Sequence, residues 1–271
     1  MKRGIPWDAS FLLFIEGVYM SVYIHCGLRS PIGVLNGQYK HMRPEVLGAK
    51  VIDALINCHS ISQVDGLFCG NAVGTGGNIG RLMGLMCNLP NSVPAITVDM
   101  QCASALMSIE IAYAHIVSGI MDSAIAGGIE SSSLQPERVY ASGNDRESPY
   151  KVAQFTPQDQ SPLAMLEGAE RTIYKHNVTK EDLYPHIIGS HQRASAALDN
   201  SYLQSYIMPI TIDGKRCIDE CIRPTMNEKL LSRMKPLLGA DSITNAGNAC
   251  LTHDGAAFVY VSNEKGPFRI H

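Results

Sequence analysis

The sequence predicts an α/β fold with a parallel or mixed sheet, and three observations carry that expectation. Apolar, β-branched runs of strand length alternate with runs of helical spacing over the first half of the chain. Glycines close the strand-like runs, Gly70 after 64–69 and Gly127-Gly128 after 121–126. Between them, 103–117 is apolar on both helical faces, with Ser104, Ser108, Glu110 and His115 its only strongly polar positions. Such a helix belongs inside a layered structure. One sheet covers one face, so something else must cover the other.

The elements follow in order. Val22-Tyr-Ile-His25 reads as a strand and Arg29-Ser-Pro-Ile-Gly33 as a turn-rich loop. Leu47, Val51, Ala54 and Leu55 space a helix over 47–58, and Val64-Asp-Gly-Leu-Phe-Cys69 is the next strand. Gly74, Gly76, Gly77 and Gly80 then lead into a helix over 81–87. That patch lacks the lysine and spacing of a phosphate loop, so it reads as a tight turn. Residues 94–128 form a strand–helix–strand unit whose helix stops at Gly119. Residues 134–162, rich in Ser, Pro, Gln and Asp, read as an extended excursion. A helix carrying Leu163, Leu166 and Ala169 follows, and Thr179-Lys-Glu-Asp182 resembles a capping box before a helix over 183–200. A short strand over 207–212 and a final one over 254–262 complete the pattern, the last rejoining the first sheet.

Composition narrows the function classes. The 271 residues are 45% hydrophobic and 17% charged, ordinary for a chain with a real core. A net charge of -3 argues against a nucleic-acid binder. No stretch approaches the roughly 20 apolar residues of a membrane span. The apolar patch at Phe11–Ile15 is too short for a secretory signal core of roughly 7–15 residues. Residues 1–19 read as a non-native leader, with a second start at Met20 directly before the first strand. Eight cysteines spread through apolar runs suggest reduced, cytoplasmic thiols rather than a disulfide scaffold. Cys217 and Cys221 have no neighbouring ligand set for zinc, so no metal is expected.

Cys102 stands apart because it lies in Pro94-Ala-Ile-Thr-Val-Asp-Met-Gln-Cys-Ala-Ser-Ala-Leu106, where a strand signal meets a helix signal. A thiol there meets backbone N–H groups and the positive end of a helix dipole, both of which favour a thiolate nucleophile. The other reading is a small buried hydrophobe.

Four spaced motifs bring these signals together: Arg29-Ser-Pro-Ile-Gly33, Asp99-Met-Gln-Cys-Ala-Ser-Ala105, Ala126-Gly-Gly-Ile-Glu-Ser131 and Asn245-Ala-Gly-Asn-Ala-Cys-Leu-Thr-His-Asp-Gly-Ala256. In that order the chain resembles the thiolases, acetyl-CoA C-acyltransferases, from about Met20 to Lys265. The resemblance implies one α/β half of a layered αβαβα fold. An N-terminal domain, 20–133 plus 241–266, would be interrupted by a coenzyme A-binding loop domain, 134–240. It also implies fatty-acid metabolism and a two-step acyl exchange. Cys102 attacks an acyl-CoA, forms a thioester, and passes the acyl group to an acetyl-CoA carbanion, or the reverse with 3-ketoacyl-CoA. The Cys102 N–H would supply part of an oxyanion hole. Coenzyme A thioesters are substrates here, and no cofactor is implied.

Carried over residue by residue, Met165 stands where the family has a methionine against the pantetheine arm, preceded by Ala164 in place of a histidine. Cys250 stands where a serine contacts that arm, and a thiol bonds more weakly than a hydroxyl. Ala105 replaces a glycine beside the nucleophile. His253 falls on an asparagine-like position and reads as structural or exposed. The family's Asn-Glu-Ala-Phe, Gly-His-Pro and Cys-x-Gly segments do not occur before His271. Those segments carry the base and acid of turnover. The expectation is therefore a truncated thiolase, inactive alone and prone to aggregate. Its partners would be acyl-CoA, a second copy in a homo-oligomer, or a separate C-terminal half. The alternatives are a non-catalytic remnant or coenzyme A-binding module, and, less favoured, a β-ketoacyl synthase-like enzyme.

Overall fold

The structure, a computed structural model, describes residues 20–74, 76–143, 148–151, 154, 157, 161–201 and 203–270. The reading of 1–19 as a leader lies outside the described residues.

A mixed sheet organises the molecule. β3 (Gly66–Gly70) pairs in parallel with β4 (Ala95–Val98) on one side and β5 (Ser123–Ser131) on the other. β8 (His253–Ser262) then runs antiparallel to β5 and to β1 (Val22–Arg29), and β9 (Phe268–Ile270) closes the far edge. The chain's last long strand thus lies at the centre, joined to β5 over nine residue pairs from Ser123↔Ser262 to Ser131↔Asp254. A short β2 (Gly33–Val34) adds to the start of β8.

Strand alternation assigns the two faces. Leu67, Cys69, Ile125 and Ile129 point to a core shared with α1 (Pro44–His59), while Met83 of α2 (Ile79–Met86) joins the same core. Phe68, Ala124, Ala126 and Val261 point the other way, to Ala112 and Ile116 of α3 (Ser104–Val117). Small residues on that face of β5 let α3 lie close to the sheet. α3 begins at Ser104, two residues after Cys102, and stops where Gly119 adopts φ +72° and donates to the Ile116 carbonyl. Its buried stripe is Ser104, Ser108, Ala112 and Ile116. The opposite face is open, with Leu106 68% exposed.

The excursion between β5 and β8 carries α4 (Ala164–Lys175), α5 (Lys180–Asp199), a hairpin of β6 (Thr211–Ile212) and β7 (Lys215–Arg216), and α6 (Glu228–Leu231). The Thr179–Asp182 capping box opens α5. Tyr184, Met226 and Leu231 form a small core of their own, whereas Met208, Ile210 and Cys217 join the α1 side of the main core. The strand expected over 207–212 is reduced to Thr211–Ile212, with one isolated bridge from Ile207 to Arg29. Pro209 lacks the N–H a continuous ladder needs.

The Arg29–Gly33 segment ties the excursion to the sheet. The Arg29 guanidinium makes two 2.8 Å hydrogen bonds to the Asp219 carboxylate, which also accepts the Ile32 N–H at 2.7 Å. Burial alone would raise Asp219, but these bonds and the Arg29 charge hold its carboxyl below the usual range.

Candidate active site

Cys102 sits in a turn that its neighbours build. The Asp99 carboxylate accepts the Gln101 N–H at 2.9 Å. The Ser104 hydroxyl accepts the Met100 N–H at 2.8 Å and donates to the Gln101 carbonyl at 2.6 Å. Gln101 itself is left-handed, at φ +52°, a conformation costing a non-glycine residue about 1 kcal/mol or more. The side-chain bonds around it hold the chain there. The result is a strand-to-helix corner with Cys102 exposed at its apex, directly before α3.

Glycines form the floor under this corner. A Cβ on Gly70 would lie 2.5 Å from the Ala105 N, and one on Gly128 would lie 2.9 Å from the Gly70 carbonyl oxygen. The Ser108 hydroxyl lies 2.8 Å from the Gly127 carbonyl and accepts the Gly127 N–H at 2.9 Å, pinning α3 to β5. The helix end and the nucleophile are placed by β3 and β5 together.

Exposure separates the thiols. Burial pushes Cys69 up to about 12 and Cys26 up to about 11. Cys87, Cys217 and Cys221 are raised for the same reason. Those five are poor candidates for thiolate chemistry at neutral pH. The exposed thiols are Cys58, Cys102 and Cys250. Among the described residues no histidine is hydrogen-bonded to Cys102. His25 meets Ser262, His115 meets the Ile111 carbonyl, and His191 meets the Arg223 N–H.

Glu130, at the end of β5, was not assigned a role by the sequence reading. Its carboxylate accepts the Ala72 and Val73 N–H groups at 2.9 and 2.8 Å, and the Asn71 amide at 3.0 Å. Arg138 grips the same loop from outside, donating to the Val73 carbonyl at 2.6 Å. A cavity of about 380 Å³ lies beside it, lined by Gln101, Val73, Ser132, Ser133, Arg138 and Thr252 among others. The glycine patch that follows is a turn, with Gly74, Gly76 and Gly77 at positive φ. Asn78 caps α2 by accepting the Arg81 N–H at 3.0 Å, so that helix start is already satisfied.

A second cavity, of about 530 Å³, lies across the same strand approach. Cys250, Cys221, His191, Arg223, Asn248 and His253 contribute to its lining. Thr252 faces the first cavity while Leu251 and His253 face the second, so this short run separates the two. The Asn245–Cys250 turn closes on itself. Asn248 accepts the Asn245 N–H at 2.7 Å, and Asn245 accepts the Gly247 N–H at 2.8 Å. Glu170 of α4 anchors the residues before it, accepting the Ile243 and Thr244 N–H groups at 2.7 and 2.9 Å and the Ser242 and Thr244 hydroxyls. Burial works to raise Glu170, but these bonds outweigh it and hold the carboxyl low. At His191, burial and then the Arg223 charge lower the imidazole below its usual value. The Nδ1 that accepts the Arg223 N–H at 3.3 Å carries no proton. His253 is half-buried, and its Nε2 is buried without a hydrogen-bond partner among the described residues.

The structure therefore puts Cys250 in the lining of the second cavity and Gln101, the neighbour of Cys102, in that of the first, while Cys102 itself lines neither. Met165 stands on the first turn of α4, 79% exposed, outside the lining of both. No group of three or more potential metal ligands occurs among the described residues. None of their helices is long and apolar enough to cross a membrane.

Comparison with known proteins decides the family. Residues 22–265 match the family profile described as Thiolase, N-terminal domain. The chain belongs to the thiolase family. This thiolase chain is 32% identical over 244 residues to VraB of Staphylococcus epidermidis, whose name carries a provisional assignment as an acetyl-CoA C-acetyltransferase. It is equally similar, 32% over 244 residues, to VraB of Staphylococcus haemolyticus. The matches take in 87% and 88% of this chain but 63% and 64% of those relatives, just under two thirds of their length. Among solved structures, the chain superposes on the Bacillus anthracis acetyl-CoA acetyltransferase with a TM-score of 0.79 and 25% identity, covering 90% of this chain and 66% of that one. The human mitochondrial 3-ketoacyl-CoA thiolase in complex with CoA gives the same TM-score and identity, covering 91% and 66%.

Proposed function

We propose that this chain is the nucleophile-bearing part of a thiolase-type acyltransferase acting on coenzyme A thioesters. The observation that carries the reading is Cys102, an exposed thiol at a strand-to-helix corner whose backbone is held by Asp99, Ser104 and a glycine floor. In the first half-reaction the Cys102 sulfur attacks the thioester carbonyl of an acyl-CoA. The carbon–sulfur bond to coenzyme A breaks, and its thiolate leaves and takes up a proton. One thioester replaces another, so the acyl group stays activated. The oxyanion forms near the Cys102 N–H and the start of α3. In the second half-reaction an acetyl-CoA carbanion takes the acyl group and frees the cysteine. The base for that step is not among the described groups bonded to Cys102, so it comes from elsewhere in the working enzyme.

The cavity at Cys250 suits the pantetheine arm, being bounded by apolar side chains with a few polar groups, Arg223 among them. Met165, outside both cavities, is assigned to the same arm on the resemblance alone. Self-association is assigned first to the open face of α3 around Leu106 and second to the β4 edge. Among the described residues β4 has a neighbour on one side only, and exposed Ile96 lies with Leu82, Leu85 and Met86 of α2 on the surface.

A second reading, a coenzyme A-binding module without turnover, is favoured by one observation, the lack of a bonded base at Cys102. Alkylation in the presence of coenzyme A tests the site that both readings share. With iodoacetamide and peptide mass spectrometry, coenzyme A is expected to slow labelling of Cys102 and Cys250 and to leave exposed Cys58 unchanged. Equal labelling with and without coenzyme A would remove the assignment of Cys102 and of the Cys250 cavity to a coenzyme A site.

A further inference from the structure

A third cavity, of about 800 Å³, lies away from the nucleophile between the segment leading into α1 and the β6–β7 hairpin. Its size is that of a small-molecule site. Met42, Val46, Ile212 and Cys217 give it apolar surface. Around them stand Lys40, His41, Arg43, Lys215 and Arg216, against two acids, Asp213 and Glu220. This concentration of positive charge occurs in a chain whose net charge is -3.

The charges are free to meet a ligand. Glu220 is committed to the wall, accepting the Val34 N–H at 3.0 Å and the Gln38 N–H at 3.1 Å. Arg43 is paired with Glu45 at 3.2 Å. Lys40, His41, Lys215 and Arg216 have no side-chain hydrogen bond or ion pair with any described residue. They come from stretches about 175 residues apart in sequence.

The walls are fastened before any ligand arrives. The Gln38 amide donates to the Ile218 carbonyl at 2.8 Å and accepts the Ile218 N–H at 3.0 Å. Gly37 permits the Glu220 contact, because a Cβ there would lie 2.2 Å from the Glu220 Oε2. The hairpin turn, Asp213 and Gly214 at φ +49° and +75°, places Lys215 and Arg216 directly after it. This hairpin does not join the main sheet, and its basic strand lines the cavity. A preformed cavity loses little ordering free energy on binding.

We infer that this cavity binds a small phosphorylated ligand, its phosphate groups between Lys40 on one wall and Lys215 and Arg216 on the other, its less polar body against Met42, Val46 and Ile212. Guanidinium and ammonium groups on opposite walls match a di- or polyphosphate better than a single carboxylate. The site shares no lining residue with the cavities at Gln101 and Cys250, and its existence does not depend on acyl transfer.

Titration calorimetry of the full chain with inorganic pyrophosphate, and separately with ADP, tests this. Saturable pyrophosphate binding is expected, at least about tenfold weaker in the Lys215→Ala/Arg216→Ala double variant and unchanged in Lys175→Ala, on the exposed end of α4 outside the cavity. Tighter binding of ADP than of pyrophosphate would assign the apolar floor to a nucleoside, and equal binding would assign the site to phosphate groups alone. Both outcomes support the site. Circular dichroism melting checks the fold of each variant. If the hairpin variant unfolds, Lys40→Ala on the opposite wall is read in its place. No saturable binding of either probe at millimolar concentration overturns the inference. So does binding that the hairpin or Lys40 variant leaves intact, or that Lys175→Ala abolishes.

Discussion

At the scale of single residues, the corner that presents Cys102 is held by contacts that can be removed one at a time. Ser104→Ala deletes the acceptor for the Met100 N–H and the donor to the Gln101 carbonyl. Each lost bond is worth about 0.5–1.5 kcal/mol, so the unfolding free energy is expected to fall by a total of about 1–3 kcal/mol, read as a lower denaturant midpoint. An unchanged midpoint would mean the left-handed Gln101 needs no such support. Much of this was legible beforehand, since Cys102 was already placed at a strand–helix junction by its neighbours. The left-handed turn was not, because Gln101 carries no glycine or asparagine signal. Nor were the tasks of Glu130 and Glu170 visible, because both rest in large part on backbone N–H groups, which leave no trace in a side-chain pattern.

At the scale of elements, α4 and the Asn245–Cys250 turn are joined through Glu170. The folded-state value of this carboxyl is below its ordinary 4.5. Its stabilising contribution is therefore present above pH 4.5 and is lost as the pH falls through the lower folded value. Glu170→Gln is expected to lower stability at neutral pH and to flatten the loss of stability between pH 5 and more acid conditions, read by thermal melting across that range. A parallel acid slope in wild type and variant would place the acid sensitivity elsewhere, with Asp219 the next group to test. The strand and helix elements were legible where apolar periodicity was strong, as in α1, α3, β5 and β8. The signal failed at 207–212, where Pro209 breaks the ladder, and at the two-residue strands, which are too short to show a period.

At the scale of the whole molecule, the sheet has α1 and α2 on one face and α3 on the other, and α3 is covered on one side. Leu106 at 68% exposure and Met100 at 52% leave apolar surface next to the candidate nucleophile. Leu106→Gln is expected to reduce self-association in light scattering while changing stability by less than about 0.5 kcal/mol. Unchanged association would shift attention to the β4 edge and the exposed leucines of α2. The need for a second cover over α3 followed from its composition alone, since a helix apolar all round cannot be satisfied by one sheet. The placement of Met165 did not follow, because a single methionine on a polar helix has no pattern that fixes its direction.

Acyl transfer to one sulfur is the claim on which the account rests. The most direct measurement is incubation of the chain with acetyl-CoA, followed by peptide mass spectrometry under conditions that preserve thioesters. The account predicts an acetyl group on Cys102, removed by added coenzyme A and absent from Cys102→Ser. Acetylation spread over Cys58, Cys102 and Cys250 alike, or none on Cys102, would contradict it.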